Sequence, residues 1–260
     1  MPYFAELAAD SYGSSDRDAP LVLLHGLTFD RSHWGPVLAQ LDPDRRAVAF
    51  DLPGHGDSPR RDSYQLTDVA PVLHAAITEA GLATPVLVGH SLGAVLATHY
   101  AANYPARAVV NVDQPLQVAA FAELLHQSES RLRGPEWTDV WAMLLSGMHA
   151  DLLPPTTRHL VESAQPRQDQ LLGYWQEILE TPIDELDKRL RAELTTIAAK
   201  HIPYHYVTGA DVPAPYQDWL TALVPDVAIT VLPGTGHFPH LGQPAALARL
   251  LNSVRLSSIF

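Results

Sequence analysis

The chain has 260 residues, no cysteine, 13 histidines and 47 % hydrophobic residues. This is enough chain to bury a large apolar core, and without a thiol there is no disulfide framework, thiolate metal site, iron–sulfur cluster or cysteine nucleophile. The 17 Lys+Arg stand against 29 Asp+Glu, a net charge of −12 with no basic block, which disfavours nucleic acid and anionic lipid as partners.

The N-terminal Met1-Pro2-Tyr3-Phe4-Ala5-Glu6 has no basic segment followed by an apolar one, so no secretory signal is read and the cytoplasm is the expected location. No apolar run approaches the roughly 18 residues that would suggest a membrane-spanning helix. No fixed-period repeat or low-complexity tract is visible.

Taken in chain order, Pro20-Leu21-Val22-Leu23-Leu24-His25-Gly26 is a short continuous apolar run ending in glycine, as expected for a strand buried on both faces of a parallel sheet. Arg46 to Asp51, Pro85 to Val88 and Ala108 to Val112 follow the same pattern. Between the second and third lies a helical period of Val69, Val72, Leu73, Ala76, Ile77 and Ala80, with Thr67 as expected N-cap and Gly81 as expected C-cap. The alternation predicts an α/β fold with a parallel sheet.

From about Leu116 to Ala199 the texture changes. Trp137, Val140, Trp141, Leu144, Leu145 and Met148 share one helical face, and Leu171, Leu172, Trp175, Ile178 and Leu179 share another, with Pro154-Pro155, Pro166 and Pro182 as punctuation. Strands resume at Tyr204 to Thr208 and Ala228 to Leu232, followed by a helix containing Leu247, Leu250 and Leu251. The expected organisation is a core of residues 1–115 and 200–260 with a helical cap, 116–199, inserted between them.

Gly89-His90-Ser91-Leu92-Gly93 matches G-x-S-x-G at a predicted strand-to-helix junction. A nucleophilic serine must stand proud of the sheet on a strained turn, and glycine two residues to either side removes the collisions this turn would cause. A serine hydroxyl also needs a general base, usually a histidine oriented by a carboxylate. His237 is placed for that role, because Gly234-Thr235-Gly236-His237-Phe238-Pro239-His240 follows the last predicted strand. His240 reads as a loop hydrogen-bonding residue, and no histidine cluster has metal-ligand spacing.

Over essentially its whole length the chain resembles the α/β-hydrolase superfamily, through His25-Gly26, Asp51-Leu52-Pro53-Gly54-His55-Gly56-Asp57-Ser58, Gly89 to Gly93 and Gly234 to Pro239 in that order. The resemblance implies an eight-stranded, mostly parallel sheet with helices on both faces and an inserted helical cap, with Ser91 as nucleophile and His237 as base. One oxyanion-hole amide is expected from Leu92, the residue after the nucleophile; for the other, the resemblance points to Leu27, with Thr28 as its neighbour. His25-Gly26 also reads simply as a tight strand exit, and Asp51 to Ser58 as a structural turn beside the site.

Two aspartates compete as the acid. Asp211 lies 26 residues before His237, in the usual chain order, but only two past Gly209, where the family places its acid three past. Asp113 closes the strand after the nucleophile helix, the position used by some members of the superfamily. The lid residues Trp137, Trp141 and Trp175, with Met143, Met148 and Tyr174, read either as an apolar substrate pocket or as packing between lid helices. The preferred function is a cofactor-independent serine hydrolase acting on an ester, lactone or related acyl bond of a small, largely apolar molecule. The alternatives are a small-molecule receptor on the same scaffold, or a lyase or acyltransferase using the same three residues; oligomeric state is not read from the sequence.

Overall fold

The computed structural model describes residues 2–15 and 17–253. Eight strands, β1 (Tyr3–Phe4), β2 (Leu7–Tyr12), β3 (Leu21–Leu24), β4 (Ala47–Phe50), β5 (Val86–His90), β6 (Ala108–Val112), β7 (Tyr204–Thr208) and β8 (Ala228–Val231), form one sheet in the order β1-β2-β4-β3-β5-β6-β7-β8. β1 and β2 pair antiparallel and β2 runs antiparallel to β4, whereas all pairings from β4 to β8 are parallel. The mostly parallel α/β sheet expected from the sequence is therefore present, and its antiparallel edge comes from N-terminal strands that the apolar runs did not reveal.

The continuous apolar runs bury both sheet faces. Along β3, Leu21 and Leu23 enter one core and Val22 and Leu24 the other; β4 divides its residues in the same way. One face is covered by α1 (Gly35–Leu38) and α11 (Pro244–Ser253), which bring Val37, Leu247 and Leu251. The other is covered by α2 (Leu66–Glu79), α3 (Leu92–Asn103), α8 (Ile183–Ala199) and α9 (Ala214–Leu223), which bring Leu73, Leu96, Ile197 and Leu220. Each fully buried Leu or Val contributes about 2 kcal/mol of transfer free energy, so these two layers hold the sheet edge on which the site is built.

α2 starts at Leu66, with Gln65 rather than Thr67 as its N-terminal boundary residue, because the Gln65 carbonyl already accepts the Asp68 and Val69 amides. It ends at Glu79 with Ala80 as cap, and Gly81 takes the left-handed conformation that follows a helix end (φ +70°).

Between β6 and β7 lie α4 (Ala119–Arg133), α5 (Trp137–Gly147), α6 (Pro155–Glu162), α7 (Gln168–Glu180) and α8. α8 also belongs to the core: Leu194 and Ile197 pack in the main apolar cluster, and Glu193 pairs with His99 of α3 at 2.6 Å. No described helix is long and apolar enough to cross a membrane.

Candidate active site

The C-terminal ends of β3, β5 and β6, neighbours in the sheet, carry three non-glycine residues with positive φ: Thr28 (71°), Ser91 (51°) and Asp113 (56°). Such conformations cost of order 1–3 kcal/mol each and persist only where the surroundings over-determine them.

Ser91 sits between the end of β5 and α3 with φ 51° and ψ −120°. Its flanking glycines are sterically required. A Cβ on Gly89 would stand 2.1 Å from the Gly93 carbonyl oxygen, and one on Gly93 would stand 2.2 Å from that of Leu24. The Ser91 carbonyl accepts the Ala94 and Val95 amides, so the strained residue also starts the helix. The Leu92 amide at that helix start and the Leu27 amide in the loop after β3 have no intramolecular acceptor among the described residues. Both are thus free to donate to a bound group, and α3 points its positive end toward Ser91.

His237 is tied to Asp113. The carboxylate Oδ2 accepts from His237 Nδ1 at 2.8 Å, while Oδ1 accepts from the Gly209 amide at 3.0 Å and from the Thr208 hydroxyl. The Asp113 amide donates to the Val207 carbonyl at 2.7 Å. The carboxylate is thereby aimed by the β6–β7 pairing, and its bond to Nδ1 leaves Nε2 as the basic nitrogen of a neutral His237. Asp211 is exposed and makes no hydrogen bond to His237. The described residues show no hydrogen bond between the Ser91 hydroxyl and His237; the two are brought to the same edge by His90, whose Nε2 donates to the His237 carbonyl at 2.8 Å. Nucleophile–base contacts of this type commonly tighten only when substrate binds.

Two histidines that the sequence left without a role brace the loop after β3. His25 Nδ1 donates to the Gly26 carbonyl at 2.8 Å, and its Nε2 accepts the Leu52 amide at 3.0 Å. His55 Nδ1 donates to the Pro53 carbonyl at 3.1 Å, and its Nε2 accepts the Thr28 amide at 3.2 Å. Burial lowers the pKa of both rings, and each uses one nitrogen as acceptor, so both are neutral struts between the loop after β3 and the turn after β4. The signal for this was the pair of motifs, His25-Gly26 and Gly54-His55-Gly56, but neither shows which partner the other has. Asp51 is buried, accepting the Arg31 and Asp57 amides at 2.8 Å and pairing with the Arg31 guanidinium, so Asp51 to Ser58 is a built turn.

His240 is fully buried, and neither ring nitrogen has a partner among the described residues, which overturns its reading as a hydrogen-bonding loop residue. Its ring lies 4.2 Å from that of His90 and 6.1 Å from that of His33, and the His90 ring is 4.9 Å from His237. Burial holds His33 down at about 4 and pushes His90 and His240 well below the usual histidine range. No group of His, Asp or Glu among the described residues has metal-binding geometry.

The helices between β6 and β7 reach the site at two places. Tyr174 donates to the Pro53 carbonyl at 2.9 Å, and Arg167 and Gln170 both donate to that of Gly54 at 3.0 Å. At the other end the Met148 carbonyl accepts the His237 amide at 2.9 Å. Gly236 (φ +55°) is needed there, since a Cβ would stand 2.7 Å from that same carbonyl oxygen. Of the tryptophans between β6 and β7, Trp141 and Trp175 are buried with ring centroids 6.4 Å apart, and Phe121 meets Trp175 edge-on; Trp137 is partly accessible.

RutD of Shigella flexneri serotype X (strain 2002017), to which carbamate hydrolysis is ascribed, is 29 % identical over 246 residues, covering 90 % of both chains. Among solved structures, the enol-lactonase from Burkholderia xenovorans LB400 is similar with TM-score 0.76 and 20 % identity, over 96 % of this chain and 98 % of that one. AqDC, a protein of recognition and ring-cleavage of the Pseudomonas quinolone signal, is similar with TM-score 0.79 and 19 % identity, over 98 % of each chain. These structural likenesses show a shared fold. The model of the alpha/beta hydrolase family matches residues 21–250, and the chain belongs to that family.

Proposed function

We propose that the protein is a cofactor-independent serine hydrolase that cleaves an ester, lactone or related acyl bond of a small, largely apolar molecule, with Ser91, His237 and Asp113 as its triad. The observation that carries this reading is the 2.8 Å bond from Asp113 Oδ2 to His237 Nδ1, on the edge where Ser91 is held strained. Ser91 Oγ attacks the acyl carbon while His237 Nε2 takes its proton. The carbonyl oxygen becomes an anion held by the Leu27 and Leu92 amides, where one donor is worth about 3 kcal/mol of barrier. Collapse of the tetrahedral adduct expels the alcohol, which leaves with the proton from His237. Water then repeats the sequence on the acyl-Ser91 ester and releases the acid. Asp113 stays ionised and stabilises the imidazolium formed at each step.

The apolar substrate class is supported by Trp137, partly accessible on α5, and by Leu144, Leu145 and Met148 on the same helix face. Trp141 and Trp175 act in this reading through the shape they give the lid. The relatives agree with acyl chemistry, since a carbamate and an enol-lactone each present a carbonyl carbon to a nucleophile. Incubation with a fluorophosphonate probe tests the assignment. A single adduct on Ser91, abolished in Ser91→Ala and in His237→Ala, is the expected result; an unlabelled wild-type protein refutes it.

A further inference from the structure

We infer that His90 is a positioning residue for the general base: it ties the main chain of His237 to the strand that delivers Ser91, and so sets where Nε2 stands when the serine proton is taken. The inference rests on the serine-hydrolase reading of this site and adds a residue that acts through His237 without touching substrate. The backbone shows why a tether is needed. Ser91 and Asp113 follow β5 and β6, whose residues are all buried. His237 instead follows β8, an outermost strand of the sheet with no fully buried residue, through a loop in which Gly234 (φ +75°) and Gly236 (φ +55°) are both left-handed. Glycine loses the most freedom on ordering, so a base on this loop is held only as well as its contacts hold it. Asp113 fixes the imidazole through the single 2.8 Å bond to Nδ1, about which the ring and its backbone can still swing. Of the two main-chain bonds of His237, the amide reaches Met148, between β6 and β7, and the carbonyl reaches His90 Nε2 at 2.8 Å. The His90 bond is the one that ends on a strand of the sheet.

Strand geometry aims the His90 ring at that carbonyl. Val86 and Val88 enter the core beneath α11, and the two-residue period of β5 sends His90 to the same side. There the ring lies 4.9 Å from that of His237 and 5.5 Å from that of Phe238, centroid to centroid. In register, His90 pairs with Val112, so the residues one step further along the two strands are Ser91 and Asp113. Behind the ring, a Cβ on Gly26 would stand 2.8 Å from His90 Nδ1, and any larger residue there would push the ring out of line. His90 is fully buried and burial keeps its imidazole neutral, with one N–H, which a carbonyl acceptor requires on Nε2. Misplacing reacting groups by about 1 Å costs on the order of 10²-fold in rate, so losing this bond falls on the chemical step.

Phosphonylation of Ser91 by a fluorophosphonate probe separates positioning from folding. In that reaction Ser91 Oγ bonds to phosphorus, fluoride leaves and the serine proton passes to His237 Nε2. His90→Phe keeps a flat ring without a donor, His90→Asn carries a donor too short to reach the carbonyl, and His90→Gln places an amide N–H where Nε2–H stood. In His90→Phe and His90→Asn the rate at saturating probe is expected to fall about 10- to 100-fold. The half-saturating probe concentration should change by less than about twofold, and every molecule should still be labelled in the end. His90→Gln is expected to stay within about threefold of wild type, because it keeps the bond. If His90→Phe fails to fold, His90→Asn carries the comparison. Wild-type rates in either variant, a slowing of His90→Gln equal to theirs, or a lowered labelling endpoint at unchanged rate overturn the role of His90 and leave Ser91 as nucleophile. An unlabelled wild-type protein overturns the serine-hydrolase reading instead.

Discussion

Acidification should unfold this protein well above the range in which carboxylates titrate. His33, His55, His90 and His240 are buried, and desolvation lowers each below its ordinary value of 6.5, with His33 at about 4. The groups facing them give little compensation: His240 looks onto His33, His90, His237 and Trp34, and the charge of any one imidazolium would oppose that of the next. Below pH 6.5 the unfolded chain binds protons at these four positions and the folded chain does not. Their share of the stability is therefore intact above about pH 6.5 and lost as the pH falls from there, for His33 until about pH 4. One histidine held neutral loses about 1.3 kcal/mol between pH 7 and pH 5.5, so the four lose about 5 kcal/mol, a large part of the roughly 5–15 kcal/mol that holds a typical protein folded. Urea titrations at pH 7.5, 6.5 and 5.5, with the slope m unchanged, measure it. His240→Phe should remove about 1.3 kcal/mol of the loss between pH 7 and pH 5.5. A change in unfolding free energy under about 1 kcal/mol across this interval would refute the reasoning, because it would mean that the buried rings take up protons in the folded state.

Asp113→Asn should lower kcat by about 10³- to 10⁴-fold on any substrate the enzyme turns over, whereas Asp211→Asn should change it by less than about threefold; equal small losses would show that neither carboxylate orients His237. Gly93→Ala puts a Cβ 2.2 Å from the Leu24 carbonyl oxygen and should cost about 3 kcal/mol or more, visible as insoluble protein or a Tm lowered by about 10 °C. Gly147→Ala, at the end of α5 with nothing within 4 Å of the new methyl, should instead raise stability by a few tenths of a kcal/mol. Tyr174→Phe removes the 2.9 Å bond to the Pro53 carbonyl and should lower stability by about 1 kcal/mol, or Tm by about 2–4 °C, in differential scanning calorimetry.

The parallel strands β3, β4, β5 and β6 were legible because burial on both faces writes itself into the chain as an unbroken apolar run. Leu7–Tyr12 carries no such run, since β2 turns only its first half into the core and leaves Ser11 and Tyr12 exposed, so the antiparallel edge was silent. The strained turn at Ser91 was legible for a similar reason: two glycines are demanded by contacts local to the motif, Gly89 against Gly93 and Gly93 against the end of β3. The choice between Asp113 and Asp211 was not local. It depends on Asp113 bonding to Val207 and Gly209, residues nearly a hundred positions away, and only the β6–β7 pairing brings them there. The histidines failed for the opposite reason. Nothing in the residue type distinguishes an exposed imidazole such as His149 from His240, which the chain buries without a hydrogen bond.

The distribution of backbone strain ties fold to chemistry more closely than any single contact. Six non-glycine residues among those described have positive φ, and three of them, Thr28, Ser91 and Asp113, follow or close the adjacent strands β3, β5 and β6. A fourth, His149, lies against Gly236 in the loop that carries His237. Strain of this kind is tolerable only on a rigid support, and the support is specific at each point. Gly89 and Gly93 clear the space beside Ser91, the pairing with Val207 holds Asp113, and the neutral His55 ring holds Thr28. The buried central strands supply the free energy that offsets these conformations, and their parallel register brings them to one edge. At Ser91 and Asp113 the strain falls on the residues proposed as nucleophile and acid, whereas Ala5 and His201 carry positive φ away from that edge, so strain counts here only where it coincides with the Asp113–His237 bond and the glycines that clear Ser91.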